Sequence, residues 1–252
     1  MEITSINNEL VKQTIKLQQK KYRTESGEFL LEGYKSIKEA FDFGIKLKHV
    51  FIDSEKIEKY GFLKDYISTN QNVLKKLSTT DSAPESVAVG IQPQNNIEKL
   101  KTSKRVVLLE NISDAGNLGT IIRSAAALSI DSIILFGNTI DLYNPKCVRS
   151  AVGNLWKVNI VTIKSLDEIN EIFKDFEKAA TLPKSNKSVL LNKWIPEKKV
   201  LLMFGSEADG LSSELIDWAD TYVTIEMSDK VESLNLSVSA GIMMYFIENK
   251  IN

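Results

Sequence analysis

The chain is 252 residues long, with a formal charge of −1 and 43% hydrophobic residues, a balance typical of a soluble globular protein of one or two domains. Its apolar runs are shorter than the ~18 residues of a membrane span. Its N-terminus lacks a signal-peptide pattern, so we expect a cytoplasmic protein with no membrane partner. With one histidine and one cysteine, the usual zinc sites are excluded, and no Ser-His-Asp or Cys-His catalytic arrangement is expected.

Helical and strand patterns alternate in the first part of the chain. Apolar residues recur at helical spacing in "NELVKQTIKLQQKK", and its lysines occupy other faces, so a helix is predicted there. Strands are predicted for "EFLLEG", "LKHVFID" and "SVAVGIQ", and further helices for "YKSIKEAFDFG" and "EKYGFLKDYIS". The only histidine, His49, lies in the second of these strands and is expected to be structural. Residues 1–92 are therefore predicted to form a small α/β domain.

A polar segment follows, "PQNNIEKLKTSK" at residues 93–104, and its proline and lack of an apolar period predict a linker. From residue 105 onward, strands are predicted for "RVVLLE", "SIILFG", "VNIVTI", "KVLLMFG" and "TYVTIE". Helices are predicted between them, such as "PKCVRSAVGN" and "LDEINEIFKDFEKA". This alternation predicts a mostly parallel sheet with helices on both faces over residues 105–252. Because ligands bind beyond the carboxyl ends of strands in such sheets, the loops after strands are candidate sites.

The loop after the strand "RVVLLE" is the first of three candidate site loops, and it leads to Arg123. Gly116 and Gly119 let backbone N–H groups approach a ligand, and the following helix offers its positive end to an anion. Asn117 can donate and accept hydrogen bonds, and the guanidinium of Arg123 suits a phosphate. An ordinary glycine turn followed by a solvated arginine is the alternative interpretation.

The other two candidate loops follow the strands "KVLLMFG" and "TYVTIE". In the first, Glu207 lies just beyond an apolar strand, where a carboxylate needs partners such as Asn117 or Arg123. An acidic residue near a helix N-terminus is the alternative. In the second, Ser233 and Asn235 open a helix whose body is almost wholly apolar, so it is buried by other elements or by a second subunit. Helix capping is the alternative for these two residues.

Taken together, the three loops resemble the signature motifs of the SpoU, or TrmH-like, RNA ribose methyltransferases of the knotted SPOUT superfamily. The residues that carry the three motifs are, in chain order, Asn111, Gly116, Asn117, Gly119, Arg123 and Ala125; Gly205, Glu207, Gly210 and Leu211; and Ser233, Leu234, Asn235, Ser237 and Ser239. The N-terminal part is similar to the substrate-binding domain of many members, a small ribosomal-protein-like α/β module. That similarity rests on Lys21, Arg23, Phe29, Glu32 and Gly33.

The resemblance implies an enzyme that transfers a methyl group from S-adenosylmethionine to an RNA ribose 2′-hydroxyl. It favours 23S ribosomal RNA over transfer RNA as the substrate, and a non-catalytic RNA-binding or ribosome-assembly factor of the same fold stays an alternative. A small-molecule nucleotide-binding protein is a third alternative, although the chain lacks the GxGxxG and GxxxxGK[ST] motifs. The resemblance also implies a deep trefoil knot and a homodimer formed through the C-terminal domain, with no metal required.

The family pattern also implies which residues form the site. Those expected to line the cofactor pocket belong to the loops after strands: Gly205, Ile225 and Leu234 as contacts, with Phe204, Met227 and Ser233 shaping the pocket. The family often has a proline where this chain has Glu226, so this loop departs from the pattern. We expect Arg123 to hold a substrate phosphate and polarise the 2′-hydroxyl, because an arginine resists deprotonation. Asn117, Glu207 and Asn235 are expected to hold that arginine and the ribose.

RNA recognition is expected to rest on a basic stretch of the N-terminal domain. Its members are Lys12, Lys16, Lys20, Lys21 and Arg23, with Tyr22 and Phe29 available to stack on bases. A solvated helix face is the alternative interpretation. Among these residues, Lys20, Lys21 and Arg23 are the predicted RNA contacts, together with Arg123 of the methyltransferase domain.

Overall fold

The protein folds into two units, and each unit is built from two separate stretches of the chain. In the computed structural model, which describes residues 1–228 and 230–251, the first unit comprises Met1–Gln94 and Asp141–Trp156. The second comprises Asn95–Ile140 and Lys157–Asn252. The sequence predicted contiguous domains at 1–92 and 105–252 with a linker at 93–104. In the structure, part of that linker packs in the second unit, because the side chain of Asn95 pairs with both backbone groups of Thr162 at 2.9 and 3.1 Å.

The stretch Met1–Gln94 of the first unit contains a four-stranded sheet and four α-helices. The strands are β1 (Glu28–Glu32), β2 (Leu47–Asp53), β3 (Ile67–Thr69) and β4 (Ser86–Ile91), and the helices are α1 (Glu9–Lys16), α2 (Lys20–Ser26), α3 (Tyr34–Asp42) and α4 (Gln71–Leu77). The strand order is β1-β4-β2-β3. β4 pairs antiparallel with both β1 and β2, and β3 pairs parallel with β2. This arrangement confirms a small α/β unit.

Two helix predictions in this unit were wrong in detail. The helix predicted over "NELVKQTIKLQQKK" is divided between α1 and α2, and the break places Gln18 so that its side-chain amide donates to three carbonyls at the end of α4. The helix predicted over "EKYGFLKDYIS" is a 3-10 turn at Ile57–Tyr60 followed by β3. Helix α4 begins only afterwards, where the side chain of Asn70 caps the backbone N–H of Val73 at 3.0 Å.

The segment 141–156, which includes α6 (Pro145–Ser150), packs in the first unit through charged and aromatic contacts. Arg23, only 2% exposed, pairs with Asp141 at 2.6 Å, and Arg149 donates to the buried carboxylate of Glu32 at 2.8 Å. Two aromatic rings of the segment, from Tyr143 and Trp156, pack on the buried Phe29 at centroid distances of 4.8 and 5.6 Å. Buried charges need such partners, so these pairs fix where the segment lies.

The second unit is built on a parallel sheet of seven strands. The strands are β5 (Arg105–Glu110), β6 (Ser132–Phe136), β7 (Asn159–Ile163), β8 (Glu177–Thr181), β9 (Val189–Leu190), β10 (Val200–Phe204) and β11 (Thr221–Thr224), and the helices are α5 (Ala115–Ala127), α7 (Ser213–Trp218) and α8 (Leu236–Lys250). Their order is β7-β6-β5-β10-β8-β11-β9, and each pairing is parallel. The predicted α/β class with a parallel sheet is confirmed. The trefoil knot implied by the resemblance stays a prediction.

Helices and core residues cover this sheet on both faces. One face carries a buried cluster that includes Leu108, Ala180 and Met203, with Leu215 of α7 packed among them. Helix α8 packs against α5 and against β10, and the buried residues of α5 and α8 lie outside that cluster. The two long helices therefore cover the opposite face. Within residues 1–228 and 230–251, no helix combines the length and apolarity that a membrane crossing requires.

The helix predicted over "LDEINEIFKDFEKA" was wrong. Only Leu166–Glu168 forms a 3-10 turn, irregular turns follow, and the end of the segment joins β8. Its apolar side chains recur at helical spacing, yet they enter the core from those turns: Leu166, Ile169, Phe173 and Phe176. The strand β8 was missed because "EKAAT" has two charged residues and two alanines, which are poor strand formers.

Candidate active site

Four neighbouring strands place the predicted site loops at one edge of the parallel sheet. Strands β5, β10, β8 and β11 lie side by side and end at Glu110, Phe204, Thr181 and Thr224. Because the strands are parallel, these carboxyl ends meet at one edge. The three candidate loops therefore begin at the same edge, as the sequence predicted.

Helix α5 begins earlier than the sequence suggested. Asp114 caps it by accepting a hydrogen bond of 2.8 Å from the backbone N–H of Asn117. Gly116 and Gly119 were predicted to lie in a loop, but both lie within the first two turns of the helix. The glycines therefore do not form an open phosphate-binding loop, and that interpretation was wrong.

Asn111, the first residue of motif one, fixes the backbone between two strands. Its φ is +53°, and its side-chain oxygen accepts a hydrogen bond of 2.7 Å from the backbone N–H of Asn138. That oxygen lies only 2.4 Å from where a Cβ on Gly137 would stand. The positive φ of Gly137, +74°, also favours glycine there. Asn111 is therefore a structural residue of the motif.

Three of the predicted catalytic residues form one hydrogen-bonded chain. The side-chain amide of Asn117 donates to a carboxylate oxygen of Glu207. Asn235 donates from Nδ2 to Oδ1 of Asn117 at 3.0 Å. The oxygen of Asn235 caps α8, accepting from the backbone N–H of Ser237 at 2.9 Å and from that of Val238 at 3.3 Å. Residues from all three motifs are thus joined side chain to side chain.

Arg123 is not held by this chain of hydrogen bonds. It lies in α5 with an exposed side chain, six residues after Asn117 and therefore roughly 9 Å further along the helix axis. Among the residues that the structure describes, it has neither an ion pair nor a hydrogen-bond partner. The hypothesis that Asn117, Glu207 and Asn235 hold Arg123 was wrong, because these three residues bond to one another. With no partner among the described residues, the guanidinium can bind an anion.

The loop after β10 folds back sharply at Gly205. A Cβ on this glycine would lie 1.9 Å from the carbonyl carbon of Gly210 and 2.2 Å from the backbone nitrogen of Leu211. Ser206 and Gly210 exchange two backbone hydrogen bonds of 3.1 Å, which close the loop and present Glu207 at its exposed tip. The motif glycine is required here because another backbone segment occupies the space of a side chain.

Glu110 is a positioning residue that the sequence analysis missed. It ends β5, is 3% exposed, and accepts a hydrogen bond of 2.7 Å from the backbone N–H of Ser212. Ser212 in turn caps α7 through the N–H of Leu215. Glu110 therefore anchors the loop that carries Glu207. A carboxylate at the end of the apolar run "RVVLLE" was the available signal, since a buried charge needs a partner.

One buried hydroxyl at this edge has no hydrogen-bond partner in the part of the chain that the structure describes. The Oγ1 atom of Thr181, the last residue of β8, is shielded from solvent and makes no hydrogen bond to any residue that the structure describes. Unsatisfied buried polar atoms are rare in folded proteins. A polar ligand at this edge of the sheet would supply the missing partner.

Comparison with known proteins identifies the family. The model of the SpoU rRNA Methylase family matches residues 104–245, which is more than half of the chain. The chain belongs to the SpoU rRNA methylase family. A second model, the MRM3-like substrate binding domain, matches residues 8–88. The two matches together cover residues 8–88 and 104–245 of this SpoU-family chain.

Relatives of known name match this SpoU-family chain along nearly its whole length. It is 28% identical to the Bacillus subtilis 23S rRNA (guanosine(2553)-2′-O)-methyltransferase RlmP, over 98% of each protein. It is 28% identical to a Streptomyces viridochromogenes 23S rRNA (uridine(2479)-2′-O)-methyltransferase, over 96% of this chain and 90% of that one. The crystal structure of an AdoMet-bound rRNA methyltransferase from Sinorhizobium meliloti has a TM-score of 0.87 at 29% identity, covering 99% and 97% of the two chains.

The predicted cofactor residues of this SpoU-family chain lie in the loops after β10 and β11 and before α8. Phe204 is buried, and four of the others are half-buried: Gly205, Ile225, Met227 and Leu234. Ser233 is exposed. Gly205 and Ile225 directly follow strands that flank β8, so they begin at the same edge as Thr181. Their contacts with the cofactor stay predictions.

In the first unit, the structure separates the predicted RNA contacts into two groups. Lys20 and Lys21 are exposed, and the ammonium groups of Lys16 and Lys21 lie 5.7 and 5.8 Å from the ring centre of Tyr22. Arg23 is buried in its ion pair with Asp141, so the prediction that it contacts RNA was wrong.

The predicted stacking of Phe29 on bases was also wrong, because this ring is fully buried. Phe29 and Arg23 instead hold the segment 141–156 within the first unit. The basic stretch that can meet RNA is therefore the exposed lysines around Tyr22.

Proposed function

We propose that this chain is a cytoplasmic, S-adenosylmethionine-dependent methyltransferase that acts as a homodimer on a ribose 2′-hydroxyl of 23S ribosomal RNA. The observation that carries the proposal is the hydrogen-bonded chain of Asn117, Glu207 and Asn235, which joins the three family motifs. The exposed Arg123 lies in the same helix as Asn117. The named relatives support ribosomal RNA as the substrate. They act on a guanosine and a uridine at different positions, so the proposal does not extend to the nucleotide.

The catalytic role of the protein is mainly to align two reactants. S-adenosylmethionine, when bound, supplies a methyl group already activated by its sulfonium. Holding a hydroxyl in line with such a group can contribute roughly 7–11 kcal/mol to lowering the barrier. The loops that Gly205 and Glu110 fix at the sheet edge are rigid supports for that alignment.

Arg123 is proposed to hold the RNA. Its exposed guanidinium can bind a phosphate through two parallel hydrogen bonds, which sets both distance and angle. It stays protonated, so it does not act as the base. The 2′-hydroxyl must lose its proton as the methyl group is transferred, and the RNA phosphate held by Arg123 is the proposed acceptor. Asn117 and Asn235 then orient the ribose.

The first unit is proposed to supply a further contact surface for the RNA. The exposed lysines of α1 and α2 lie around Tyr22, and they combine positive charge with an aromatic ring. Phosphate attraction and base stacking are the two interactions that single-stranded RNA offers to such a surface. The match to an MRM3-like substrate binding domain supports this assignment.

The homodimer is proposed to form through α8. Three large apolar side chains of this helix are exposed at i, i+4 and i+7 spacing: Val238 at 48%, Ile242 at 37% and Tyr245 at 63%. This spacing places them on one face of the helix. We propose that a second copy of the chain covers this apolar face of α8. Sedimentation of the purified protein tests whether it is a dimer.

The experiment that tests the function is methyl transfer from labelled S-adenosylmethionine to ribosomal RNA and to transfer RNA, each from cells that lack this protein. The product nucleoside is then identified. A 2′-O-methylated nucleoside in ribosomal RNA that is absent with Arg123→Ala supports the proposal. Methylation of transfer RNA alone overturns the substrate. Cofactor binding without transfer to either RNA pool, or to assembled ribosomal subunits, favours the non-catalytic alternative.

A further inference from the structure

Thr181, whose hydroxyl has no partner among the described residues, ends the strand that lies between the two strands leading into the proposed cofactor loops. Strand β8 pairs with β10 on one side, which continues into Gly205, and with β11 on the other, which continues into Ile225. Thr181 itself is in register with Val223 of β11. It is the last residue of its strand, so its side chain lies at the carboxyl edge where a ligand of this sheet would sit.

The side chain of Thr181 lies on the face of the sheet that α5 and α8 cover. Successive side chains of a strand point to opposite faces, and Ala180 belongs to the core cluster on the other face. Thr181 therefore shares its face with Ala179. Both α5 and α8 also carry residues of the proposed catalytic chain of hydrogen bonds, Asn117 in α5 and Asn235 as the cap of α8.

A nearby threonine shows what a satisfied hydroxyl looks like at this edge. Thr224, the last residue of β11, is 2% exposed, and its hydroxyl donates to the backbone carbonyl of Leu182. The residue Thr181 is only half-buried, but its Oγ1 atom is shielded from solvent and has no such acceptor among the described residues. Leaving a buried hydroxyl unpaired costs stability, and a hydrogen bond to a ligand removes that cost.

We propose that Thr181 Oγ1 hydrogen-bonds the adenosine part of S-adenosylmethionine. This inference rests on the proposed cofactor site. The surroundings select the neutral part of the cofactor, because the neighbours of Thr181 on its own face of the sheet are the buried, apolar Ala179 and Val223. A charged carboxylate or ammonium of the methionine part would require ionic partners there. Adenosine offers ring nitrogens, an exocyclic amine and ribose hydroxyls to a single neutral hydroxyl. Thr181 is thus a cofactor-binding residue absent from the family motifs.

The test compares ligand binding to the full-length wild type, Thr181→Val and Thr181→Ser by calorimetry. The probes are S-adenosylhomocysteine and 5′-methylthioadenosine, which lacks the amino-acid part. We expect Thr181→Val to lower the affinity for both ligands by about three- to tenfold, which is the effect of losing one neutral hydrogen bond. Thr181→Ser, which keeps the hydroxyl, is expected to retain most of the affinity.

Thermal unfolding without ligand provides the control for a merely structural effect. Thr181→Val is expected to keep or raise the Tm, because valine removes an unsatisfied hydroxyl at nearly constant volume. The matched variant Thr224→Val is expected to lower the Tm, because it removes a hydroxyl that has an acceptor. A ligand affinity reduced in Thr181→Val at unchanged Tm supports a direct contact.

Two results would overturn the inference. Equal affinity of wild type and Thr181→Val for S-adenosylhomocysteine would show that the hydroxyl does not contact the cofactor. Weaker binding of S-adenosylhomocysteine with unchanged binding of 5′-methylthioadenosine would place the contact at the methionine part. Failure of the wild type to bind either probe would instead contradict the proposed function, so the two failures are distinguishable.

Discussion

Asn235 donates a hydrogen bond of 3.0 Å to the side chain of Asn117, which lies 118 residues earlier in the chain. The same Asn235 caps α8 with its side-chain oxygen, so one residue both starts a helix and joins two motifs. Its amide nitrogen and its amide oxygen have separate partners. Substitutions can therefore remove one function and keep the other.

Asn235→Ser tests the nitrogen alone. Serine caps helices about as well as asparagine, so the free energy of unfolding should change by less than about 0.5 kcal/mol. The hydrogen bond to Asn117 is lost, and we expect the single-turnover methyl-transfer rate to fall roughly tenfold. Asn235→Ala should lose the cap as well, at a cost of about 1 kcal/mol. Wild-type turnover in Asn235→Ser would contradict a role for the hydrogen-bonded chain in catalysis.

Arg123→Lys tests whether a bidentate cation is needed. Lysine keeps the charge but not the planar pair of donors, so we expect turnover to fall by at least about tenfold. Because the side chain is exposed and has no partner among the described residues, the Tm should stay unchanged. Affinity for S-adenosylhomocysteine should also be unchanged, and it serves as the control. Near-normal turnover would show that charge alone is sufficient.

Gly205→Ala tests the close approach of the backbone after β10. The added Cβ would overlap the Gly210–Leu211 backbone at about 2 Å, so the loop must move or the fold must weaken. We expect a loss of about 3 kcal/mol or more in a urea denaturation of the second unit. Gly241→Ala is the matched control, because nothing lies within 4 Å of its Cβ position. Equal denaturation midpoints for the two variants would show that the loop yields freely.

Substitutions of Arg23 and of its neighbouring lysines should have different effects, because only the lysines are proposed to contact RNA. The double variant Lys20→Ala, Lys21→Ala removes two exposed charges, so we expect it to bind RNA more weakly. The slope of log affinity against log salt concentration should become shallower by roughly 0.7 to 0.9 for each charge removed. Arg23→Ala should instead cost roughly 3–5 kcal/mol of stability, since Asp141 is left without its partner. Filter binding over a salt series and denaturation measure the two effects. A stable Arg23→Ala variant with weak RNA binding would reverse the assignment.

Tyr143 makes the first unit sensitive to alkaline pH. Burial, and then the carboxylate of Asp141, raise the pKa of Tyr143 from 10.0 to about 12. The folded state therefore keeps the proton more tightly than the unfolded chain, and this contribution is complete below pH 10 and lost as the pH rises toward 12. Tyr143→Phe keeps the ring against Phe29 but cannot ionise. We expect it to lose less stability than wild type between about pH 9 and about pH 11, measured by urea denaturation.

Tyr66→Phe is the control for this pH experiment, because it removes an exposed tyrosine of the same unit rather than a buried one. Its stability should follow the wild type across the same pH range. A Tyr143→Phe variant that also followed the wild type would contradict the role of the buried phenol.

The parallel sheet and the site edge could be predicted because their signals are local. Continuous apolar strands such as "RVVLLE" indicate burial on both faces, and polar residues directly after them mark the carboxyl edge. Arg23 could not be predicted in the same way. Its partner Asp141 lies 118 residues away, and a basic stretch looks the same whether its members face solvent or a distant carboxylate. Thr181 was missed because it ends a strand of charged residues and alanines that carries no apolar pattern.

The packing of residues 141–156 in the first unit bears on how the protein is made. The ribosome synthesises the chain from its N-terminus, so residues 1–94 emerge before Asp141 and Arg149 do. Until then Arg23 and Glu32 lack their ion-pair partners, and Phe29 lacks the rings of Tyr143 and Trp156. The first unit therefore completes its core only after the opening strands and helix of the second have left the ribosome. No single cut in the chain yields either unit whole.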